Sequence, residues 1–193
     1  MDDVLVDWVA GFTLFNRTHY RPDLPDMPSD CGWDMSPWLG CTKDESVRRV
    51  QEFNSGEFPE FGKLPPTKNS VYGIQTLAML GFKFVIVTCA TTVPKAVAMR
   101  RENAYRLFGD ALEDIHILGL KDKKGPILSQ YEPTYWIDDK VEHAEAGYAV
   151  GHHALVMNQS HNTSIQTHVP RVNNWHEICQ IITFGKCRNK EAA

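Results

Sequence analysis

The sequence predicts an α/β fold in which a parallel sheet carries helices on both faces. Short apolar runs rich in β-branched and aromatic residues alternate with segments of helical spacing over the second half of the chain. Strands that alternate with helices in this way are typical of βαβ units. The predicted strands are residues 82–87, 114–118, 135–137 and 154–157, and the predicted helices are residues 70–80, 94–108, 141–146 and 175–184.

The first third of the chain has a different pattern and predicts a small helical unit inserted into that α/β core. Helices are expected at residues 9–20 and 42–53, the second with Thr42 as its N-cap and Glu45 as the capping-box partner. Prolines and glycines interrupt the segments that follow each of these helices. The predicted division is a core of residues 1–13 and 70–193 and a helical cap of residues 14–69.

Length, composition and charge are those of one domain of a water-soluble protein. The 193 residues are 42% hydrophobic and 23% charged, which provides enough apolar mass for a substantial core. The formal net charge of −4 gives no indication of a nucleic-acid-binding surface. Neither an apolar run of about 18 residues nor a signal peptide is present, so no membrane span is expected. Five cysteines without a Cys-x-x-Cys pair favour a reducing compartment, and we expect a cytoplasmic protein.

The strand predicted at residues 135–137 ends in two adjacent carboxylates, Asp138 and Asp139. Open α/β sheets bind their ligands beyond the carboxyl ends of the strands. Adjacent carboxylates repel each other unless a cation or hydrogen-bond donors lie between them, and Mg2+ prefers oxygen ligands. The pattern therefore indicates a magnesium site. The alternative is that one of the two aspartates caps the helix that begins near residue 141.

Two further turns after predicted strands carry groups that bind phosphate. Thr88 places a hydroxyl at a strand-to-helix turn, where backbone N–H groups can also hold an anion. A cluster of lysines at residues 121–124 supplies positive charge. Hydroxyl, ammonium, carboxylates and Mg2+ together suit a phosphate monoester, because phosphoryl transfer depends on positioning and charge neutralisation. Each group alone has a simpler explanation, a strand-end threonine or a solvated lysine turn, so the prediction depends on their order along the chain.

This order of motifs resembles the haloacid dehalogenase superfamily of phosphatases, and within it the 5'(3')-deoxyribonucleotidases. Residues 84–88 match the superfamily's strand ending in threonine or serine, and residues 136–139 match its acidic pair. Lys124 is the best match to the family lysine, with Lys121 in reserve. Residues 2–8, Asp-Asp-Val-Leu-Val-Asp-Trp, resemble the segment that follows the nucleophile in these enzymes. The resemblance to the nucleotidases covers most of the chain.

The resemblance implies Mg2+-dependent hydrolysis of a (deoxy)ribonucleoside monophosphate through an aspartyl phosphate. Asp2 would act as the general acid and base, and its backbone carbonyl would bind Mg2+. Asp138 would be the second metal ligand, with Asp139 in support. Thr88 and Lys124 would hold the phosphate group.

For the base of the substrate, the resemblance implies stacking on aromatic residues of the cap. The candidates are Trp33, Trp38, Phe58 and Phe61, and the alternative is that they form the cap's own small core. Arg101, or its neighbour Arg100, is a candidate for assisting with the phosphate, with a helix-surface position as the alternative. The expected partner is a small nucleoside monophosphate, with no nucleic acid and no membrane, and a homodimer is left open.

The family's first motif is Asp-x-Asp at the end of the first core strand. Asp2 aligns with the second aspartate of that motif, and Met1 aligns with its middle position. We therefore expect the nucleophilic aspartate and its strand to lie ahead of Met1, in an active enzyme whose sequence begins here at an internal methionine. Two alternatives are a phosphatase for another small phosphate monoester, such as a sugar phosphate, and a catalytically silent homologue.

Overall fold

The computed structural model describes the backbone of residues 1–191 and the side chains of residues 1–185, and it confirms the α/β class. Residues 192–193, at the end of the predicted core, lie outside the described residues. The helices are α1 (Trp8–His19), α2 (Ser36–Leu39), α3 (Lys43–Phe53), α4 (Ser70–Met79), α5 (Pro94–Phe108), α6 (Gly125–Leu128), α7 (Val141–Ala149) and α8 (Trp175–Glu191). The strands are β1 (Phe84–Cys89), β2 (Leu112–Leu118), β3 (Tyr135–Asp138), β4 (His153–Met157) and β5 (Arg171–Val172). Two short 3-10 helices cover Pro59–Gly62 and Gly109–Ala111.

The strands form two parallel sheets instead of the one that was expected. β1 pairs with β2, with Thr88 opposite Ile117. The second sheet has the order β3, β4, β5, with Asp138 opposite Val156. The parallel pairing agrees with the prediction, but within the described residues no ladder of hydrogen bonds joins β1 to β3. An apolar cleft of about 340 Å3, lined by both strands, lies between the two sheets.

The helices begin and end close to the predicted residues. α5 has the predicted bounds, and Gly109 follows it with a positive φ of 51°. Thr42 caps α3 as expected, because its hydroxyl accepts a hydrogen bond from the backbone N–H of Glu45 at 3.2 Å. At the start of α7 the N-cap is Lys140, whose backbone N–H donates to Oδ1 of Asp138 at 3.0 Å. Asp138 therefore supports the helix start without being its N-cap residue.

An apolar cluster joins the helices of residues 14–69 to the sheets. α1 runs without a break across the predicted start of the cap. Its residues Phe12 and Phe15 are fully buried and lie against Phe53 of α3, with ring centroids 5.6 and 5.3 Å apart. The same cluster includes Ile86 of β1. The aromatic residues of the first third of the chain thus share a core with the α/β part.

Residues 1–7 form a turn that is held by contacts with distant parts of the chain. The carbonyl oxygen of Val4 accepts hydrogen bonds from the indole N–H of Trp175 and from the hydroxyl of Thr67, both at 2.7 Å. These donors lie in α8 and just before α4, so tertiary contacts determine where the segment sits. They place Asp2 at the carboxyl ends of the neighbouring strands, on the wall of a polar cavity.

Over residues 1–191, no helix combines the length and the apolar character needed to cross a membrane. Four cysteines, Cys31, Cys41, Cys89 and Cys179, are free thiols. The side chain of the fifth, Cys187, lies outside the described residues.

Candidate functional site

A polar cavity of about 490 Å3 lies at the carboxyl ends of β1 and β3. Its lining includes the predicted catalytic and metal-binding residues Asp2, Thr88, Lys124, Asp138 and Asp139. Thr88 and Asp138 lie at the carboxyl ends of β1 and β3, Asp139 follows β3, and Lys124 follows β2. Parallel strands bring their carboxyl ends to the same edge of the fold. The sequence-based expectation that they lie together is therefore met by the geometry.

Lys124 and Asp138 form a buried ion pair in the wall of this cavity. Nζ of Lys124 lies 2.7 Å from Oδ2 of Asp138, and the two side chains are only 5% and 3% exposed. Burial by itself would raise the pKa of Asp138, but the charge of Lys124 and a hydrogen bond from His143 hold that pKa well below its ordinary range. This ion pair makes Lys124 a better candidate for the family lysine than Lys121, whose side chain is exposed.

Asp139 is held from the loop that follows β4. Nε2 of His161 lies 2.9 Å from Oδ2 of Asp139, without hydrogen-bond geometry. The nearly buried Asn162 donates from Nδ2 to the backbone carbonyl oxygens of Asp139 and Met157, at 2.6 and 2.8 Å. The ring of His161 lies beside the indole of Trp33, with centroids 4.3 Å apart. This loop therefore connects the second carboxylate to the cap segment.

Asp2 lines the cavity, and its carboxylate is paired with Arg100 of α5. The guanidinium is fully buried and lies over the ring of Phe61, 5.1 Å from its centroid. Nε and Nη1 of Arg100 have no hydrogen-bond partner within the described residues, and burial lowers the pKa of this side chain to about 9. The alternative of a helix-surface position is therefore wrong for Arg100, because it is a buried cation that holds Asp2 in place.

Asp3 is a fourth carboxylate on the cavity wall, beside Asp2, Asp138 and Asp139, and sequence analysis did not assign it to the site. Burial raises the pKa of Asp3 to about 7, and repulsion by Asp139 and Asp7 adds to this effect. The crowding of negative charge at this wall would be relieved by a cation, which favours the ionised form of a nearby carboxyl group.

The aromatic candidates of the cap divide into two groups. Trp33 is 59% exposed and lines the polar cavity. Trp38 and Phe61 are buried, and the indole N–H of Trp38 donates to the backbone carbonyl of Pro25 at 2.9 Å. Phe58 packs edge-on against Phe15, with centroids 4.8 Å apart. Trp38, Phe58 and Phe61 thus belong to or pack against the apolar cluster that joins the cap to the sheets. The alternative of a core role holds for these three residues, but the core is shared with the α/β part and is not the cap's own.

Arg101 lies outside the lining of the polar cavity. Its Nη2 donates to the backbone carbonyl of Ile115 on β2 at 2.9 Å, and the residue is exposed. The structure therefore places it on the helix surface, away from the predicted phosphate position.

Two histidines, His143 and His161, line the cavity and were missed by the sequence analysis. His143 lies in the first turn of α7, directly after the acidic pair, and His161 follows the end of β4 by four residues. The rule that ligands gather beyond the carboxyl ends of parallel strands would have found both residues, had it been applied to every strand.

Asp138 and Asp139 are the residues that would hold the magnesium ion that the sequence predicted. Within the part of the chain that the structure describes, no three His, Cys, Asp or Glu side chains are arranged to hold a metal ion. Mg2+ commonly takes one or two protein carboxylates and completes its shell with water and phosphate oxygens. Asp138 and Asp139 are two adjacent carboxylates on this cavity wall.

Models of known protein families and curated protein sequences give no match to this chain. Its function is therefore inferred from the side chains of the polar cavity and from the order of the motifs that supply them.

Proposed function

We propose that the polar cavity binds a small phosphate monoester together with Mg2+, and that the protein is a phosphatase of the haloacid dehalogenase type. The observation that carries this proposal is the convergence of Thr88, Lys124, Asp138 and Asp139 on one cavity. A hydroxyl, an ammonium group and two carboxylates are the groups that bind a phosphate with its metal ion. The proposal includes a haloacid-dehalogenase-like core with a helical cap at residues 14–69, and a location in the cytoplasm.

Lys124 is the proposed fixed positive charge for the phosphate. Its ammonium group is held 2.7 Å from Asp138 and is almost inaccessible to solvent, so it needs little rearrangement to receive a phosphate oxygen. Thr88, from the other sheet, offers a hydroxyl at the same cavity. Mg2+ bound by Asp138 and Asp139 would neutralise charge on the phosphate and polarise its phosphorus–oxygen bonds.

Asp2 is the proposed general acid and base, which protonates the leaving alkoxide and then accepts a proton from water. Arg100 holds its carboxylate at the cavity. In the mechanism that the resemblance implies, the attacking aspartate stands two residues before the position of Asp2. The described residues supply phosphate binding, charge neutralisation and proton transfer.

A nucleoside monophosphate is the substrate class that the cavity favours over a sugar phosphate. Trp33 is exposed at the cavity and packs beside His161, so its indole offers a stacking surface near the carboxylates. Purine and pyrimidine bases stack on such rings, whereas a sugar phosphate has no base to place there.

The test of the metal proposal is a calorimetric titration of the folded protein with Mg2+. Asp138→Asn keeps the size of the side chain but removes its charge, so Mg2+ affinity should fall by at least about tenfold. Asp110→Asn, at an exposed site outside the cavity, is the matched control and should leave Mg2+ binding unchanged. Equal Mg2+ affinity in the wild type and in Asp138→Asn would show that Asp138 does not bind Mg2+.

Phosphate release then separates the competing functions. The assay compares deoxynucleoside monophosphates with sugar phosphates, using a chain that carries an aspartate two residues before Asp2. Mg2+-dependent release from nucleotides that is lost in Lys124→Met supports the proposed activity. Release from sugar phosphates alone would support the alternative phosphatase, and nucleotide binding without release would support a silent homologue.

A further inference from the structure

The loop between β4 and β5 is held at its base by Arg171, the first residue of β5. Nη1 of Arg171 donates to Oδ1 of Asn158 at 2.7 Å and to Oδ1 of Asn162 at 3.1 Å. Nη2 donates to the backbone carbonyl oxygens of Asn162 and Ile165, at 3.0 and 2.6 Å. The planar guanidinium is a rigid fork of N–H donors, and it reaches all four acceptors in one orientation. It therefore fixes residues 158–165 relative to β5.

Asn162 transmits this position to the acidic pair, because its side-chain amide can point in only one direction. Its Oδ1 accepts hydrogen bonds from Arg171 and from the backbone N–H of Gln159, at 3.1 and 3.2 Å. Both of these groups are donors only, so Nδ2 must lie on the other side, where it donates to the carbonyl oxygens of Asp139 and Met157. Asn162 is 1% exposed, so a turned amide would leave buried polar groups without partners, which is costly.

One peptide group in the cavity wall is thereby held from both sides. The carbonyl oxygen of Asp139 and the N–H of Lys140 belong to the same peptide bond. Asn162 donates to this carbonyl at 2.6 Å, and Oδ1 of Asp138 accepts from this N–H at 3.0 Å. Because a peptide group is planar, holding both of its ends fixes the direction in which the side chain of Asp139 leaves the backbone.

We propose that Arg171 is a positioning residue for the polar cavity, which acts through Asn162 on the carboxylate of Asp139. Arg171 lies outside the lining of the cavity, so its hydrogen bonds reach a ligand only through Asn162 and the loop. The consequence for Mg2+ rests on the proposed function, because it requires Asp139 to support the metal ion.

The sign of one effect separates positioning from charge. Arg171→Met removes a positive charge, which by itself would strengthen the binding of Mg2+. If Arg171 positions Asp139, the affinity for Mg2+ in calorimetric titrations should instead fall by about tenfold, as for other residues that support metal ligands. Arg106→Met removes the same charge from an exposed position in the last turn of α5, and this control should leave Mg2+ affinity unchanged. Unchanged or increased affinity in Arg171→Met would overturn the proposal.

A double-mutant cycle with Asn162→Ala tests the route. Because Arg171 acts through Asn162, the double variant should lose no more Mg2+ affinity than the weaker-binding of the two single variants. Losses that add would mean independent effects and would overturn the proposal. If Arg171→Met does not fold, Arg171→Lys takes its place in the cycle. It keeps the charge but replaces the planar fork by one ammonium group, so it should also weaken Mg2+ binding.

Amide hydrogen exchange of the metal-free protein tests the role of Arg171 independently of Mg2+. Arg171→Met should speed the exchange of the Lys140 amide by at least about fivefold, because the peptide group that contains it is released on its carbonyl side. Wild-type protein that binds no Mg2+ would contradict the proposed metal site, and faster exchange of Lys140 would still support the role of Arg171. Unchanged exchange of Lys140 would overturn that role, whether or not Mg2+ binds.

Discussion

Two cavities adjoin the same pair of strands, β1 and β3, and they differ in what surrounds them. The polar cavity lies beyond the carboxyl ends of the strands, and its wall holds a buried ion pair in which Nζ of Lys124 lies 2.7 Å from Oδ2 of Asp138. The apolar cleft is lined mainly by apolar side chains, with Lys83, Glu113 and Glu132 also in its lining, and by two strands, β1 and β3, that do not pair with each other.

The difference separates two kinds of stabilisation. A buried ion pair is sensitive to the loss of one partner, because the other charge is then left without compensation. An apolar side chain beside an existing space has fewer contacts to lose than one in a filled core, because its environment is already incomplete. Substitutions at the two cavities should therefore differ in how much they lower the free energy of unfolding. They should also differ in whether a second substitution can recover the loss.

The largest effect is expected for Lys124→Met, which leaves the carboxylate of Asp138 buried without its cation. The free energy of unfolding should fall by about 3–5 kcal/mol, measured by urea denaturation at pH 7. Lys121→Met, at the exposed end of the same turn, should change stability by less than about 0.5 kcal/mol. Adding Asp138→Leu to Lys124→Met should recover part of the loss, and a double variant no more stable than the single one would contradict the ion-pair account.

A comparison of Leu64→Ala with Leu77→Ala tests whether the cleft is open. Both leucines are fully buried, but only Leu77 lines the cleft. Leu64→Ala should cost about 3–5 kcal/mol of unfolding free energy, and Leu77→Ala about 2–3 kcal/mol, because less packing is lost beside an existing space. Equal losses in denaturant unfolding would indicate that the cleft is as well packed as the rest of the core.

Trp33→Ala probes the cap side of the polar cavity, where we expect an effect on ligand binding and little on stability. If a base stacks on this indole, the affinity for a deoxynucleoside monophosphate should weaken by about 1–3 kcal/mol in calorimetric titrations with Mg2+. The matched variant Trp38→Ala should instead destabilise the protein by about 3–5 kcal/mol, because that indole is buried. Unchanged nucleotide affinity in Trp33→Ala would show that the base does not stack on this indole.

The smallest effect on stability is expected for Glu45→Gln, which removes ion pairs on the surface of α3. The buried pair of Lys124 and Asp138 is the comparison. Hydrogen bonds from Arg48 and Arg49 lower the pKa of Glu45 to about 2. A carboxyl with a lowered pKa stabilises the folded state above its unfolded pKa, and this contribution is lost as the pH falls. The stability difference between wild type and Glu45→Gln should therefore shrink as the pH falls from about 5 to about 2.

Urea denaturation across that pH range measures the difference. In an Arg48→Met background, where one of the two donors is absent, the pH dependence of the Glu45→Gln effect should be weaker. An undiminished pH dependence in that background would show that Arg48 does not hold the carboxylate.

Much of the polar cavity could be predicted from the positions of polar residues after apolar runs. Thr88, Lys124 and Asp138 were assigned because each follows a predicted strand or its turn, and parallel strands align such ends. The bounds of α5 and the Thr42 cap were predicted because helical spacing and capping are local properties. Asp3 was missed because its place on the cavity wall depends on how the turn of residues 1–7 folds back onto the strands. His143 and His161 were missed because the rule on strand ends was not applied to them.

The sequence by itself determined the α/β class, the parallel pairing and the chemical groups at the strand ends, since periodicity and residue type report local structure. Tertiary structure alone decided which side chains are enclosed. Arg100 and Arg101 are neighbours on one helix, yet Arg100 is buried against Asp2, 98 residues away in sequence, while Arg101 is exposed. Trp33 and Trp38 differ in the same way, because Trp33 lines the polar cavity while Trp38 is buried in the core. Burial depends on which distant segments pack together, and residue spacing along the chain does not encode that directly.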